Sequence, residues 1–348
     1  MRPPPVSGRR RRRRAPSDGR ASVGILNRQD GIALVLTLLV VTLLTAMIID
    51  FDYRTRLDVR AAANFRDAAK ASFLAQGAVE AARAVLMEDL RVSPTYDYSE
   101  DEIWGTRIQG YAVADGTIDV AIEDEGGKLD LNTLVDTNGD AVDRRVELYR
   151  RLLEQVFDPT EVEIPTLVDS LVDWLDKDSS ERLHGAESSY YERQDPPYAC
   201  ADGPLRTLDE LRLVQGYTPE IVNNLRPHVT ALWEGKTGPR GGRPRTGNIN
   251  LNDASRPLLH ALVDEGPEGG LAENIEDTRP FTAISGSELE KVIQLGPELS
   301  QAIAKETDFA SDYFSIVATG TVGDATRSLR VTVRRLPSEA KVIAWRSE

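Results

Sequence analysis

The sequence predicts an α+β molecule. One very long N-terminal helix packs on a small antiparallel sheet, and an all-α insert separates the strands. Three observations carry this. Residues 32–76 hold neither Gly nor Pro and are rich in strong helix formers. Segments with alternating polarity, bounded by turn residues, occur around 111–123 and 313–335. Between them, apolar residues recur at helical spacing.

Length and charge bound the function. The chain has 348 residues, room for about two domains. Asp and Glu outnumber Lys and Arg 56 to 42, for a net charge of −14. Residues 1–31 carry nine Arg against Asp18 and Asp30, a local +7, so the remainder stands at −21. Phosphate backbones repel so acidic a body, which argues against nonspecific nucleic-acid binding. Cys200 is the one cysteine, which excludes a disulfide framework and a cysteine-based zinc site within one chain. His184, His228 and His260 follow no ligand spacing.

Residues 1–31 read as a basic tail rich in Pro, Arg and Ser. Ile32–Ile49 is 18 residues without a charge, Gly or Pro. As a helix it spans about 27 Å, close to the hydrocarbon thickness of a bilayer. Arginines precede it while Asp50 and Asp52 follow it, which places the N-terminus in the cytoplasm and the body outside. A cleavable secretory signal fits poorly, because the run ends TAMIIDFD rather than in an A-x-A site. The helix then continues to about residue 90, where Ser93-Pro94 stops it. Beyond the membrane, Phe65, Ala69, Phe73 and Gly77 share one face and Leu74, Ala78 and Ala82 another. Either is expected to pack on a sheet.

Tyr111–Val113 and Thr117–Glu123 form a predicted hairpin about Asp115-Gly116, and Tyr313–Val322 and Arg327–Arg335 a second about Gly323-Asp324. The middle is helical. Val142, Val146, Tyr149, Leu152, Leu153 and Val156 mark one helix. Leu167, Val168, Leu171, Val172 and Leu175 mark the next, with Pro165 near its start. Thr207–Glu210 and Ser287–Glu290 read as capping boxes. Thr218-Pro219 and Pro297 open further helices. An internal echo, LDLN at 129–132 and INLN at 249–252, introduces each half of the middle. Residues 234–247, with five Gly and two Pro, read as a flexible linker.

Gly31 followed by an uninterrupted apolar helix resembles the class III leader of type IV prepilin-like proteins. The blocks GKLDLNTLVD (127–136), DWLDKDSSERLHGAESSYY (173–191), GPLRTLDELRLVQGYTPEIVNNLRPHVT (203–230) and NINLNDASRPLLHAL (248–262) resemble the K-type minor pseudopilins of type II secretion. Most prepilin-like proteins carry Glu at the fifth mature position. Leu36 stands there in this chain, as is typical of the K-type.

The resemblance implies cleavage between Gly31 and Ile32 by a prepilin peptidase. It also implies a pilin-like fold whose insert holds two SAM-like or helix-hairpin-helix-like units. The expected organisation is a leader (1–31), a membrane helix (32–49), spine and first strands (50–130), and a first helical unit (131–233). The linker (234–247), a second helical unit (248–307) and C-terminal strands (308–348) follow. The implied role is at the tip of the pseudopilus, initiating or capping assembly for export across the outer membrane. The implied partners are I- and J-type minor pseudopilins and the inner-membrane secretion platform, with no nucleic acid.

Acidic residues supply the strongest candidate for site chemistry. Asp173 and Asp176 lie about one helical turn apart, and Asp178 and Glu187 follow. Such a cluster is either a solvated acidic helix end or an oxygen-ligand site for Ca²⁺. The resemblance implies calcium in this region. Asp136, Asn138, Asp140 and Glu147 also occupy EF-hand positions, but Ala141 replaces the turn glycine, so a plain strand-to-helix turn is the alternative. No nucleophile setting, phosphate loop or dinucleotide fingerprint accompanies Ser189, Cys200 or the histidines. A membrane-anchored DNA receptor is the rival reading, through a helix-hairpin-helix at LRLVQGYTPEI (211–221). Its turn, Val214–Pro219, carries no basic residue.

Overall fold

The computed structural model describes residues 28–232, 248–264, 270–282 and 297–347. The basic tail up to residue 27, the linker glycines and prolines, and the Ser287–Glu290 capping box lie outside the described residues. The chain divides into two compact units, Met1–Ala63 and Asn64–Glu348.

Helix α1 runs from Arg28 to Val92, 65 residues. Gly77 does not interrupt it, and it ends before Ser93-Pro94 as expected. Its stretch in the first unit exposes every apolar side chain from Ile32 to Ile49.

In the second unit a five-stranded antiparallel sheet has the order β1-β2-β7-β8-β9. Its strands are β1 (Ile108–Val113), β2 (Gly116–Asp124), β7 (Tyr313–Val322), β8 (Ala325–Arg335) and β9 (Ala340–Ser347). Both predicted hairpins are present. Strand β2 pairs with β7 in continuous register from Thr117↔Thr321 to Asp124↔Phe314, so the sheet closes across the insert.

The α1 segment that packs on this sheet buries Ala75, Ala78, Val79, Ala82 and Leu86 against Val120, Phe314, Ile316, Ala318 and Val331. Of the two faces expected to do this, the one with Ala78 and Ala82 is used. The other is not: Phe65 and Phe73 are 79% and 71% exposed. The alanines admit a close approach that phenylalanine would prevent. At the closest point a Cβ on Gly320 would lie 2.2 Å from the Ala71 carbonyl oxygen.

The insert has two helical units around one shared apolar core. The first contains α2 (Asp143–Val156), α3 (Ile164–Leu175), α4 (Ser188–Tyr191) and α5 (Pro219–Leu225). The second contains α6 (Arg256–Val263), α7 (Leu271–Thr278) and α8 (Pro297–Glu306). Thr218 caps α5 by accepting the Ile221 N–H, with Pro219 in the first turn. Thr207 makes no such cap. Leu208–Leu213 is a 3-10 helix rather than an α-helix, and the Glu210 carboxylate accepts the Arg206 N–H.

The LDLN/INLN echo explains how the units are held. Strand β3 (Leu129–Asp130) pairs in parallel with β4 (Val229–Thr230). Strand β5 (Ile249–Asn250) pairs in parallel with β6 (Thr307–Asp308). Each unit therefore begins and ends side by side. The last residue of each echo secures a chain crossing. Asn132 donates to the carbonyls of Leu205 and Leu232 and accepts the Leu205 N–H. Asn252 does the same with Phe281, Phe309 and the Phe281 N–H.

Candidate functional site

Three of the four predicted carboxylates converge. Oxygens of Asp176, Asp178 and Glu187 lie within 4.8 Å of one another. Helix α3 ends at Leu175, so Asp176 sits at its C-cap in extended conformation. Glu187 is the residue before α4, also extended. Asp178 is exposed, and its Oδ1 accepts the Ser180 N–H. Asp176 Oδ1 and Glu187 Oε1 are buried and make no hydrogen bond among the described residues. Buried polar atoms are nearly always satisfied, so these two oxygens are atoms that a cation could satisfy.

Asp173 stands one turn back. Its Oδ2 accepts the Arg182 N–H, and its Oδ1 lies 3.4 Å from Arg182 Nε. Gly185 makes this possible, because a Cβ there would come within 1.9 Å of Asp173 Oδ2. Asp173 therefore shapes the loop between Asp176 and Glu187 while adding negative charge beside them.

The electrostatics agree with the geometry. Burial, then the Asp173 and Asp176 charges, pushes Glu187 up to about 7. Burial and the neighbouring Asp178 push Asp176 up to about 6. Burial does the same for Asp173, to about 6. Without a cation these groups resist ionising together.

Asp202 joins the edge of the cluster. With Glu187 and Cys200 it forms a second group of ligand atoms within 4.8 Å, and its charge raises both Asp176 and Glu187. Spacing in the sequence did not single it out. It enters from a distant turn with φ of 45°, whose one sequence mark is the Asp202-Gly203 pair. Cys200 is a buried thiol, pushed up to about 12 by burial. It is inert as a nucleophile at neutral pH. The residue types of the first group fit a hard cation: three carboxylates, irregularly placed, with neither His nor Cys.

The EF-hand alternative does not form. Asp136 Oδ1 accepts the N–H groups of Asn138, Gly139 and Asp140, closing a turn on itself. Glu147 is held by Arg150 and Arg151. The helix-hairpin-helix turn also faces inward. Gln215 bonds through its backbone to Ser170 Oγ and Tyr191 OH, and a Cβ on Gly216 (φ +86°) would meet Leu167 Cδ2 at 2.9 Å. The backbone of that turn is spent on the protein's own core.

The second candidate feature is in the first unit. Gly31 lies within α1 and has nothing within 4 Å of where a Cβ would stand. Ile32 and Leu36 are 61% and 54% exposed. α1 is the helix, among the described residues, long and apolar enough to cross a membrane.

Comparison with known proteins bears on both features. A family model described as type II secretion system (T2SS), protein K, matches residues 127–234. The type II secretion system protein K of Pseudomonas aeruginosa is 30% identical over 319 residues, covering 88% of this chain and 89% of that protein. The protein of the same description from Klebsiella pneumoniae is 31% identical over 209 residues, covering 59% and 64%. Among solved structures, the crystal structure of the GspK-GspI-GspJ complex from the enterotoxigenic Escherichia coli type 2 secretion system matches with a TM-score of 0.66. The identity is 20%, and the match covers 85% of this chain and 99% of that one. That likeness shows the fold: a long N-terminal helix and an antiparallel sheet.

Proposed function

Since the chain belongs to the type II secretion system protein K family and is a minor pseudopilin of that system, we propose that it forms the tip of the pseudopilus. There it initiates or caps assembly. One observation carries the reading. Gly31 is followed directly by an exposed apolar run within a helix that continues unbroken to Val92. The same rod serves as an inner-membrane anchor before processing and as a strut against sister subunits afterwards. Prepilin peptidase cleaves after Gly31 on the cytoplasmic side, and the body lies in the periplasm. Leu36 removes the carboxylate by which other subunits dock on a filament below them, which suits a subunit that goes first. The bulk of the helical insert, read as two SAM-like units, also suits an end rather than a repeat.

The partners on this reading are I- and J-type minor pseudopilins, reached through α1 and the ectodomain, and the inner-membrane secretion platform. The GspK-GspI-GspJ assembly of the structural relative supports the first of these. The carboxylate cluster supports calcium. Asp176, Asp178 and Glu187 would hold the ion, with Asp202 beside them. A bound divalent ion would offset two of the three ligand charges and would link the C-cap of α3 to the residue before α4.

N-terminal sequencing of the protein extracted from membranes tests the role. A mature start at Ile32, with co-purification of the two cognate minor pseudopilins, is expected. A start beyond Ile49, with the apolar rod discarded, overturns it.

A further inference from the structure

A cleft of about 580 Å³ lies between the first helical unit and the sheet face opposite α1, a volume within the ~300–1,000 Å³ range of ligand-binding clefts. Glu123, Ser315 and Thr332, which neighbour one another across β2, β7 and β8, line its sheet side. Residues of α5, β4 and the Leu208–Leu213 3-10 helix line the other side.

Its charge is opposite to that of the protein. Six cations line it: Arg107, Lys128, Arg206, Arg226, Arg330 and Arg346. Three carboxylates oppose them, from Glu123, Glu125 and Asp209, a formal +3 within a chain of net −14. Such an inversion concentrates a positive potential in a concave, low-dielectric place.

The carboxylates already there show what the cleft recognises. Asp209 accepts from Arg226 at 2.7 Å and from Arg346 on β9, two cations from unrelated elements. Glu123 lies 3.9 Å from Lys128 and 3.6 Å from Arg330. Glu123 and Asp209 are thus each shared between two cations, which fixes their positions, and Glu125 lies 3.1 Å from Lys128. Arg107 makes no ion pair among the described residues. Trp345 on β9, half exposed, gives the same cleft an apolar wall. Beside it, β9 bulges: Val333 pairs with Val342 but Thr332 with Ala344, which leaves Ile343 unpaired at the rim. Clustered guanidinium groups are suited to carboxylate-bearing motifs.

We propose that this cleft binds an extended acidic segment of a partner polypeptide. Carboxylates of the segment meet the cations, and an apolar residue between them rests on Trp345. The acidity of the rest of the chain disfavours a phosphate polymer, which must approach over a wider surface. The surface is distinct from α1 and from the calcium cluster, so the proposal stands apart from the tip role.

The test uses the full chain in detergent micelles. A fluorescein-labelled octapeptide alternating Asp or Glu with Leu is the probe, read by anisotropy. Binding that weakens as salt is raised is expected, and so is an affinity at least roughly tenfold lower for the Asn/Gln isostere. Arg107→Gln with Arg226→Gln is expected to lower affinity roughly fivefold or more, and Trp345→Ala to lower it independently of salt. Circular dichroism melts establish that the variants fold. If Arg226→Gln does not, Arg107→Gln alone carries the test, since its side chain is exposed and has no ion pair to lose. Equal binding of the isostere, unchanged affinity in a folded variant, or tighter binding of a single-stranded oligonucleotide of equal charge overturns the proposal.

Discussion

Arg335, at the end of β8, donates through Nη2 to both carboxylate oxygens of Asp97, 238 positions away in sequence, at 2.6 and 2.5 Å. Its Nη1 reaches Asp89, in the last turn of α1, at 3.0 Å, and its guanidinium lies 4.6 Å from the Phe314 ring centroid. One side chain thus ties the end of the spine helix, the loop after it and the sheet together.

Truncating that side chain is expected to be costly. Arg335→Ala leaves the Asp89 and Asp97 carboxylates buried without their counter-ion, a loss of about 3–5 kcal/mol by the behaviour of broken buried pairs. Urea denaturation of the full chain in detergent measures it. A loss under about 1 kcal/mol would show that the pair is not what holds this junction.

The two echo asparagines are expected to behave alike. Asn132→Ala and Asn252→Ala each leave two backbone carbonyls and one N–H without their partner, at about 2–4 kcal/mol. Asn252→Asp is expected to be nearly as harmful, since a carboxylate has no proton to donate to the Phe281 and Phe309 carbonyls. Thermal melts of the single variants check this. A mild effect at either position means that the crossing is secured elsewhere.

Asp130 makes a pH-dependent prediction. Burial pushes its carboxyl up to about 7, against the bonds from Leu232 and Asn132 that favour ionisation. The native state therefore keeps a proton that the unfolded chain releases near pH 4. Stability from this group falls as pH rises from about 4 to about 7, and the loss is complete above that. Asn250 holds the matching place in the second echo without a charge. Asp130→Asn keeps an oxygen for the two N–H groups. It is expected to raise the melting temperature at pH 8 and to do so much less at pH 5. A gain that is the same at both values would refute the assignment.

Calcium is expected to stabilise the chain by mass action, about 2.7 kcal/mol when the ion is at 100 times its dissociation constant. Melting with calcium and with chelator measures it. Glu187→Gln and Asp176→Asn are expected to abolish the difference. Asp173→Asn is expected to reduce it, because that residue shapes the loop beside the cluster. A calcium response unchanged in Glu187→Gln would remove the proposed site.

What could be read from the sequence follows from how far each signal reaches. Strands β7 and β8 announce themselves by alternation, and α1 by the long absence of Gly and Pro. The packing face of α1 was half legible. Alanines mark the contact but so, in sequence, do Phe65 and Phe73, and the close approach that selects the alanines depends on Gly320 far along the chain. Strand β9 was not separately anticipated. Its second half is exposed, so burial imposes little alternation on it. Asp176, Asp178 and Glu187 were close enough in sequence to suggest one another, while Asp202 comes from another loop and only folding brings it near.

The parallel clamps have an architectural consequence. Because β3 lies beside β4 and β5 beside β6, each helical unit leaves and re-enters the chain through a gate two residues wide. Such a unit can lengthen, shrink or be exchanged while the sheet it interrupts keeps its register, since β2 and β7 sense only that the gate has closed. Diversity among proteins of this family is expected to accumulate inside the gates, leaving the sheet and the helix segment packed on it constant.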